Sequence, residues 1–293
     1  MCDGADVDQI SARPAGRHAA RPRASLLPPS AVTRGALRVP EITAYFWIIK
    51  ALSTAMGEST SDFMVHIMNP VIAVGIGFVG FVAALSLQLV MRRYVAWSYW
   101  LAVVGVGVFG TMAADVLHVG FGVPYVVSSA LYGLALAAVF VSWQWTERTL
   151  SIHTVDTTRR ELFYWAAVVA TFAMGTAVGD LTAVTLKLGY LHSAVLFAVL
   201  ILIPAIGYRW LRWNPILSFW CAYVLTRPLG ASYADWLGVG PSHGGVGLGR
   251  GIVALILSVV IVGFVAYLAV TKKDVDTDEV GQTPRAVRSR HRR

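Results

Sequence analysis

The chain has 293 residues, of which 56% are hydrophobic and only 14% are charged. A soluble domain carries roughly 25% charged residues, so most of this surface cannot face water and a soluble globular fold is excluded. The formal net charge is +8, and the basic residues concentrate at the two ends, without interleaved aromatic residues or a recognition motif. This distribution favours basic tails beside anionic lipid over nucleic-acid binding.

The first 38 residues are rich in arginine, alanine and proline, and the segment 272–293 is basic and polar. Neither end has the apolar content that a packed core needs, so both are predicted to be disordered basic cytoplasmic arms. Residues 1–38 also lack the apolar centre of a cleavable signal peptide. Cys2 and Cys221 are the two cysteines, so neither a disulfide framework nor a thiolate metal site is expected.

Between these ends, residues 39–271 are predicted to form a membrane domain. Segment 71–90 has twenty residues without a charge, and a membrane-spanning helix needs about 20 apolar residues. Further apolar segments of this kind are 101–114, 123–145, 162–179, 190–208 and 252–270. The sequence therefore predicts an all-α, multi-pass membrane protein of about eight transmembrane helices.

Four segments of the chain align with one another over twenty residues without a gap. Each contains a tryptophan, a glycine ten residues later and an aspartate five residues after the glycine. The tryptophans are Trp47, Trp100, Trp165 and Trp220, the glycines are Gly57, Gly110, Gly175 and Gly230, and the aspartates are Asp62, Asp115, Asp180 and Asp235. A spacing that is kept four times indicates a tandem repeat.

Each aligned segment is followed by a second apolar helix, which predicts two-helix units. Their approximate ranges are 43–92, 96–148, 160–212 and 215–271. Because two spans return the chain to its starting side, all copies share one orientation and are related by an axis along the membrane normal. A pseudo-fourfold ring and a pair of pairs both satisfy this requirement.

Basic residues follow the second helix of every unit and are nearly absent from the turns within units, where Lys187 and Arg250 are the exceptions. The residues concerned are Arg92, Arg93, Arg148, Arg159, Arg160, Arg209, Arg212, Lys272 and Lys273. By the positive-inside rule, the chain is predicted to lie in the cell membrane with both termini cytoplasmic. The aromatic pair that ends in each tryptophan is then an anchor at the cytoplasmic interface, and the tryptophans are also predicted to pack the repeats against one another. A capping box from Thr158 to Glu161 is predicted to start the fifth helix.

The repeated glycines and aspartates fall at fixed depths if the tryptophans mark the cytoplasmic interface. At about 1.5 Å per residue, each glycine lies roughly 15 Å and each aspartate about 22 Å from that face of a core about 30 Å thick. The glycines are predicted to let helices pack closely, with local unwinding as the alternative.

The four aspartates are the strongest functional signal. A carboxylate inside the membrane costs at least about 2.5 kcal/mol, so four of them in one register predict a shared, hydrated ion pathway. The alternative is that each aspartate ends its own helix at the outer interface. Four residues before the aspartates, Glu58, Thr111 and Thr176 add oxygen atoms on the same helix face and join the predicted pathway.

Glu58 is the one additional acid in this register. It is either a proton acceptor or ion ligand, or it forms a salt bridge with an intramembrane cation such as Lys50 or Arg227. These two basic residues lie well inside predicted helices. Each is expected to be paired, because an isolated charge is costly in the membrane.

Four of the seven histidines fall one per unit on the predicted outward side. His66 lies four residues after Asp62 and His118 three residues after Asp115, which places carboxylate and imidazole on one face if the helix continues. This donor set suits manganese, iron or zinc, so His66 and His118 are candidate metal ligands. Scattered interface histidines and an Asp–His proton relay are the alternatives.

Two stretches of the chain, VPEITAYFWIIKALSTAMGESTSDF and SIHTVDTTRRELFYWAAVVATFAMGTAVGDLTA, together with the Trp–Gly–Asp register, resemble a bacterial family of integral membrane proteins. That family is defined by four tandem two-helix repeats of unknown function with a characteristic tryptophan. The likeness covers about 39–271. It implies the repeated membrane fold and no particular activity.

The acids predict a transporter or exporter of a small inorganic cation, with a divalent metal favoured. Proton exchange is a natural coupling, because clustered acids bind either a proton or a metal. No cofactor is expected beyond the metal as substrate, and the expected partners are the lipid bilayer and the cation. A membrane-embedded enzyme is one alternative, although no HExxH or GxSxG motif is present. A structural or sensory membrane protein is the other.

Overall fold

A computed structural model describes residues 37–275, and within them the chain forms eight long α-helices and no strand. The helices are α1 (Ala44–Ile67), α2 (Pro70–Val90), α3 (Ala96–Asp115), α4 (Tyr125–Glu147), α5 (Thr158–Asp180), α6 (Gly189–Trp210), α7 (Pro215–Gly238) and α8 (Arg250–Thr271). α3 and α5 each continue into one π-helical turn, Val116–Gly120 and Leu181–Thr185. The prediction of an all-α protein with about eight helices is confirmed.

Six of the eight helices are long and apolar enough to cross a membrane. The other two, α1 and α7, have 24 residues each, which gives a length of about 36 Å against a membrane core of about 30 Å. They are less apolar because α1 carries Lys50, Glu58 and Asp62 and α7 carries Arg227 and Asp235. Length therefore suits all eight helices to the membrane, and α1 and α7 require shielding from lipid.

That shielding comes from the arrangement of the helices in two concentric layers. α1, α3, α5 and α7 form an inner ring, in which each helix packs against the next in this order and α7 returns to α1. Each outer helix packs mainly against the inner helix of the following unit: α2 on α3, α4 on α5, α6 on α7 and α8 on α1. Because α8 joins the last unit to the first, the repeats close into a pseudo-fourfold ring rather than a pair of pairs.

The inner ring is built from layers that recur every four residues along each inner helix. This spacing is close to the 3.6 residues of a helical turn, so the side chains of neighbouring layers lie close to one helix face. The aromatic layer is Phe46, Tyr99, Tyr164 and Phe219; the lysine layer is Lys50, Val103, Val168 and Tyr223; the arginine layer is Thr54, Gly107, Phe172 and Arg227; the hydroxyl layer is Glu58, Thr111, Thr176 and Ala231; and the aspartate layer is Asp62, Asp115, Asp180 and Asp235. We call the two ends of this stack the Trp end and the Asp end.

Three of the four repeated tryptophans, Trp100, Trp165 and Trp220, are buried at the Trp end, and Trp47 is half-buried. Each one contacts the aromatic-layer residue of the preceding inner helix. The ring centroids are 5.7 Å apart for Phe46–Trp100, 5.6 Å for Tyr99–Trp165, 6.2 Å for Tyr164–Trp220 and 5.8 Å for Phe219–Trp47. Trp100 and Trp165 are each only 2% exposed. Trp100 and Trp165 are therefore not exposed to lipid, and the ring uses all four tryptophans for the same aromatic contact between copies.

The repeated glycines provide the close approach between inner helices. Each faces the arginine layer of the next inner helix: Gly57 faces Gly107, Gly110 faces Phe172, Gly175 faces Arg227 and Gly230 faces Thr54. A Cβ atom added to Gly57 would lie 2.8 Å from the carbonyl carbon of Gly107. The helices continue unbroken through all four positions, so the glycines act in packing and the helices do not unwind there.

The packed domain extends a few residues beyond its predicted bounds of 39 and 271 at both ends. Arg38 is buried, and its Nη1 atom donates to Glu161 Oε2 at 2.6 Å. At the other end Asp274 is also buried, and it accepts a hydrogen bond from the Tyr94 hydroxyl. Burial raises the pKa of the Asp274 carboxyl above its usual value. The remaining parts of the predicted arms, 1–36 and 276–293, lie outside the described residues.

The predicted capping box at the start of α5 is wrong. α5 begins at Thr158, but its N-cap is Thr157, whose Oγ1 accepts a hydrogen bond from the Arg160 amide at 3.3 Å. The Glu161 carboxylate binds Arg38 instead of a backbone amide. The physical reason is that a buried carboxylate gains more from a charged donor than from a neutral amide.

The glycine contacts lead to a test of the ring packing. Gly57→Ala should lower the free energy of unfolding by about 1–3 kcal/mol, because the backbone of Gly107 cannot move aside for the added methyl group. Gly263→Ala in α8 is the matched control, since no atom lies within 4 Å of the added Cβ. It should be neutral or slightly stabilising, because alanine favours a helix over glycine. Thermal unfolding in detergent measures both, and equal effects would contradict the packing role.

Candidate functional site

A partly open cavity of about 660 Å³ lies at the Asp end of the inner ring. All four members of the aspartate layer line it, together with Glu58 from the hydroxyl layer. Asp235 is only 8% exposed, and the other three aspartates are half-buried. The ring thus brings one carboxylate from each repeat to a single space, which we call the Asp cavity.

The aspartates lie near the C-terminal ends of the inner helices. Asp115 and Asp180 are the last residues of α3 and α5 before a π-helical turn, and Asp62 and Asp235 lie near the ends of α1 and α7. The C-terminus of a helix carries the negative pole of its dipole, which opposes a carboxylate by about 0.3–1 kcal/mol in the last turn and by less before it. Four carboxylates and four negative poles around one cavity create a negative potential that attracts cations.

One of the four carboxylates already has a cationic partner. Arg250, at the start of α8, donates from Nε to Asp62 Oδ2 at 2.7 Å. The Nη1 atom of Arg250 also lies 3.2 Å from His66 Nε2. Within residues 37–275 the other three aspartates form no salt bridge. The sequence indicated this partner only indirectly, because Arg250 was an exception to the positive-inside pattern.

The histidines do not join the aspartates in a metal site. His66 Nδ1 lies 2.8 Å from the carbonyl oxygen of Asp62, and His118 Nδ1 lies 2.7 Å from that of Val123. No group of three or more His, Cys, Asp or Glu side chains in residues 37–275 could hold a metal ion. The structure therefore gives no support to ligation by His66 and His118, which stays a prediction. The i+3 spacing of an α-helix does not apply at His118, because the helix changes to a π-helical turn directly after Asp115.

The floor of the Asp cavity is a buried ion pair on the axis of the ring. Arg227 is fully buried, and its Nη2 atom lies 2.5 Å from Glu58 Oε2 and 2.6 Å from Thr176 Oγ1 and also contacts Thr111 Oγ1, so these three oxygens share its two N–H groups. The Nε and Nη1 atoms have no hydrogen-bond partner in residues 37–275. Ala231, the fourth residue of the hydroxyl layer, lies on the same helix as Arg227. Of the two alternatives for Glu58, the structure shows the salt bridge. Thr111 and Thr176 hold the guanidinium group, although the sequence predicted that they line the ion pathway.

The arginine layer is shaped to contain this guanidinium group. Gly107 occupies the equivalent position on α3 and has no side chain, and the ring of Phe172 on α5 lies 5.2 Å from Arg227 Cζ. A Cβ atom on Gly175 would collide with Cβ and Cγ of Arg227. The site therefore depends on different side chains at the same register position in different copies.

The lysine layer holds a second buried cation. Lys50 is fully buried, and its Nζ atom donates to Thr54 Oγ1 at 3.3 Å. The same atom lies 4.1 Å from the ring centroid of Phe172 and 4.3 Å from that of Tyr223. Lys50 has no salt bridge within residues 37–275, so the expectation that it is paired is wrong. The neighbouring carboxylate of Glu58 is held by the arginine, and aromatic faces contact the ammonium group instead.

Aromatic side chains close the axis at the Trp end. Phe46, Tyr99, Tyr164 and Tyr223 are each at most 2% exposed. The hydroxyl groups of Tyr99 and Tyr164 are hydrogen-bonded at 2.5 Å. Along its axis the protein is therefore open at the Asp end and closed at the Trp end.

The buried ion pair can be tested by a double-mutant cycle. Glu58→Met should lower the free energy of unfolding by about 3–5 kcal/mol, because it leaves the Arg227 guanidinium buried without a counter-ion. Arg227→Met should cost a similar amount. The double variant should be more stable than either single variant, since no charge then lacks its partner. Unfolding in detergent measures the cycle, and additive losses would contradict a direct pair.

Three tandem matches link the chain to a known repeat. The family model described as Repeat of Unknown Function (DUF347) matches residues 98–149, 163–212 and 218–274, which together are more than half of the chain. The first repeat lies outside these matches but carries Trp47, Gly57 and Asp62 in the same register. No curated protein and no solved structure matches the chain. Its matched repeats show that the chain belongs to the DUF347 repeat family.

Proposed function

We propose that this protein is a membrane carrier for a small cation and that the Asp cavity is its cation-binding site. The observation that carries the proposal is the convergence of four carboxylates, one from each repeat, on one cavity. Carboxylates at this depth are costly, and membrane proteins retain such groups mainly along pathways for ions and protons. The cation is the cargo, and the proposal includes no catalytic step and no resident cofactor.

The size of the Asp cavity favours a cation that keeps its water shell. A volume of about 660 Å³ holds on the order of 20 water molecules at about 30 Å³ each. The carboxylates do not form a closed ligand set for a bare metal ion. Magnesium-like divalent ions lose water reluctantly and bind through a few carboxylates and several waters. A hydrated divalent cation is therefore the cargo that fits best.

The buried cations on the axis favour a carrier over a channel. A cation that moved straight from the Asp cavity to the Trp end would have to pass Arg227 and Lys50, both fully buried. At low dielectric constant, two like charges at close range repel strongly. Transport then requires a rearrangement of the ring that closes the Asp end and opens the Trp end, as in alternating-access carriers. The basic loops favour an orientation with the Trp end in the cytoplasm.

Removal of the carboxylates tests the binding site. The triple variant Asp115→Asn, Asp180→Asn and Asp235→Asn should reduce the affinity for Mn²⁺ by at least about tenfold, because it removes three negative charges from the cavity. Loss of the free-ion EPR signal of Mn²⁺ on titration with purified protein measures binding. Asp156→Asn is the control, since Asp156 pairs with Arg160 outside the cavity. Unchanged affinity in a folded triple variant would overturn the proposal.

Arg250 provides a second test with the opposite sign. Its guanidinium group occupies Asp62, so it competes with a bound cation for that carboxylate. Arg250→Gln should raise the affinity for Mn²⁺ by about tenfold, because it adds one free carboxylate and removes one positive charge. The same EPR titration measures the change. A lower affinity in the folded variant would show that the arginine supports the site rather than competing for it.

An organic cation is a second candidate for the cargo. Phe121, Tyr125 and Tyr190 contribute aromatic side chains to the wall of the Asp cavity. Aromatic faces attract quaternary ammonium groups, which do not need direct carboxylate ligation. Competition between tetramethylammonium and Mn²⁺ in the EPR titration separates the two candidates. Displacement of Mn²⁺ at micromolar tetramethylammonium would favour the organic cation, and no displacement would favour the divalent ion.

A further inference from the structure

We propose that Lys50 is the proton carrier through which this protein exchanges protons for the cation bound in the Asp cavity. This inference rests on the proposed cation transport. The carrying observation is a fully buried ammonium group that has one hydrogen bond, to Thr54, and two aromatic faces, but no salt bridge within residues 37–275. Opposing effects act on its charge state. Burial and the nearby charge of Arg227 favour the neutral amine, and the ring faces favour the ammonium ion.

The charges along the axis couple Lys50 to the Asp cavity. When Lys50 is protonated, the buried axis carries two cations, Lys50 and Arg227, against the one carboxylate of Glu58. The negative charge of the aspartate layer, twelve residues further along each helix or about 18 Å away, then stabilises the excess positive charge by electrostatic attraction. A cation in the Asp cavity offsets this negative charge and so favours release of the proton from Lys50. By linkage, loss of the proton from Lys50 favours binding of the cation by the same factor.

The neighbours of Lys50 identify it as the exchanging group. Arg227 faces it from α7 but cannot lose its proton in a protein, and Glu58 is held by that arginine. Tyr223 also faces it from α7. The lysine-layer and arginine-layer residues of α3 and α5 do not titrate. α2 contains no titratable residue, and α8 contains none between Arg250 and Tyr267. Lysine is therefore the buried cation that can switch its charge.

Hydroxyl groups lie on the Trp-end side of Lys50. The Tyr223 hydroxyl is buried and has no hydrogen-bond partner in residues 37–275, and the hydroxyls of Tyr99 and Tyr164 bond to each other. In the proposed step, Lys50 Nζ loses one proton and becomes a neutral amine. Each tyrosine hydroxyl that accepts a proton passes its own onward, so no phenol keeps a charge. A cation that enters while the ring is open at the Trp end displaces this proton into water at that end. After the ring closes there and reopens at the Asp end, the cation leaves and Lys50 takes up a new proton from water at the Asp end.

The experiment uses the full-length protein in liposomes that contain the pH indicator pyranine. A Mn²⁺ gradient should move protons in the opposite direction through the wild-type protein. Lys50→Arg keeps the buried charge but cannot release it. It should bind Mn²⁺ within about threefold of the wild type yet lose at least about tenfold of the Mn²⁺-driven proton flux. Lys187→Arg, in the turn between α5 and α6, is the matched control and should leave the flux unchanged.

The outcomes separate this inference from the proposed function. If the wild-type protein binds neither Mn²⁺ nor tetramethylammonium, the proposed function fails, and this inference fails with it. If the wild type binds and transports Mn²⁺ but Lys50→Arg keeps its coupled proton flux, only the role of Lys50 is overturned. Transport of Mn²⁺ by the wild type without proton movement also overturns the role of Lys50. If Lys50→Arg does not fold, Lys50→Met replaces it, with the same loss of flux expected and the same retained flux contradicting the proposal.

Discussion

The buried ion pair between Glu58 and Arg227 is the constraint on which the rest of the structure depends. A guanidinium group in the centre of a membrane protein needs a counter-charge. Glu58 supplies it, and Thr111 and Thr176 contact the same Nη2 atom, whereas Nε and Nη1 have no hydrogen-bond partner in residues 37–275. Three different repeats thus surround an arginine from the fourth. This contact requires a closed ring, because helices in an open arrangement could not all reach one nitrogen atom.

Positions that repeat and positions that diverge have separate tasks. The tryptophans and glycines make the same contact at each of the four inner-helix interfaces, so they build a ring that is nearly symmetric. Between them, the lysine, arginine and hydroxyl layers hold different residues in each copy. A symmetric layer of four arginines would repel itself, whereas one arginine can pair with one glutamate and contact two threonines. Divergence at these layers is therefore a requirement of electrostatics, and symmetry at the others is a requirement of packing.

The sequence was sufficient for the features that depend on periodicity. Helix number, repeat register and the convergence of the aspartates all follow from spacing along one helix face. The sequence was insufficient where two environments accept the same residue. An aromatic pair near a helix end suits both the lipid interface and a protein interior. Trp100 and Trp165 lie in the interior. Local geometry also intervened, because the π-helical turn after Asp115 moved His118 out of register. Lys50 forms no salt bridge within residues 37–275, because Arg227 binds the nearby carboxylate of Glu58.

The placement of the aspartates separates stability from function. At the C-terminal end of a helix, an acid is opposed by the helix dipole and a basic residue is favoured. The chain keeps an acid near the end of all four inner helices, and within residues 37–275 a basic partner, Arg250, reaches one of them. A fold selected for stability alone would gain by replacing the others with neutral or basic residues. The negative potential at the Asp end is thus maintained against the preference of the helices, and the cation that we propose as cargo would offset that cost on binding.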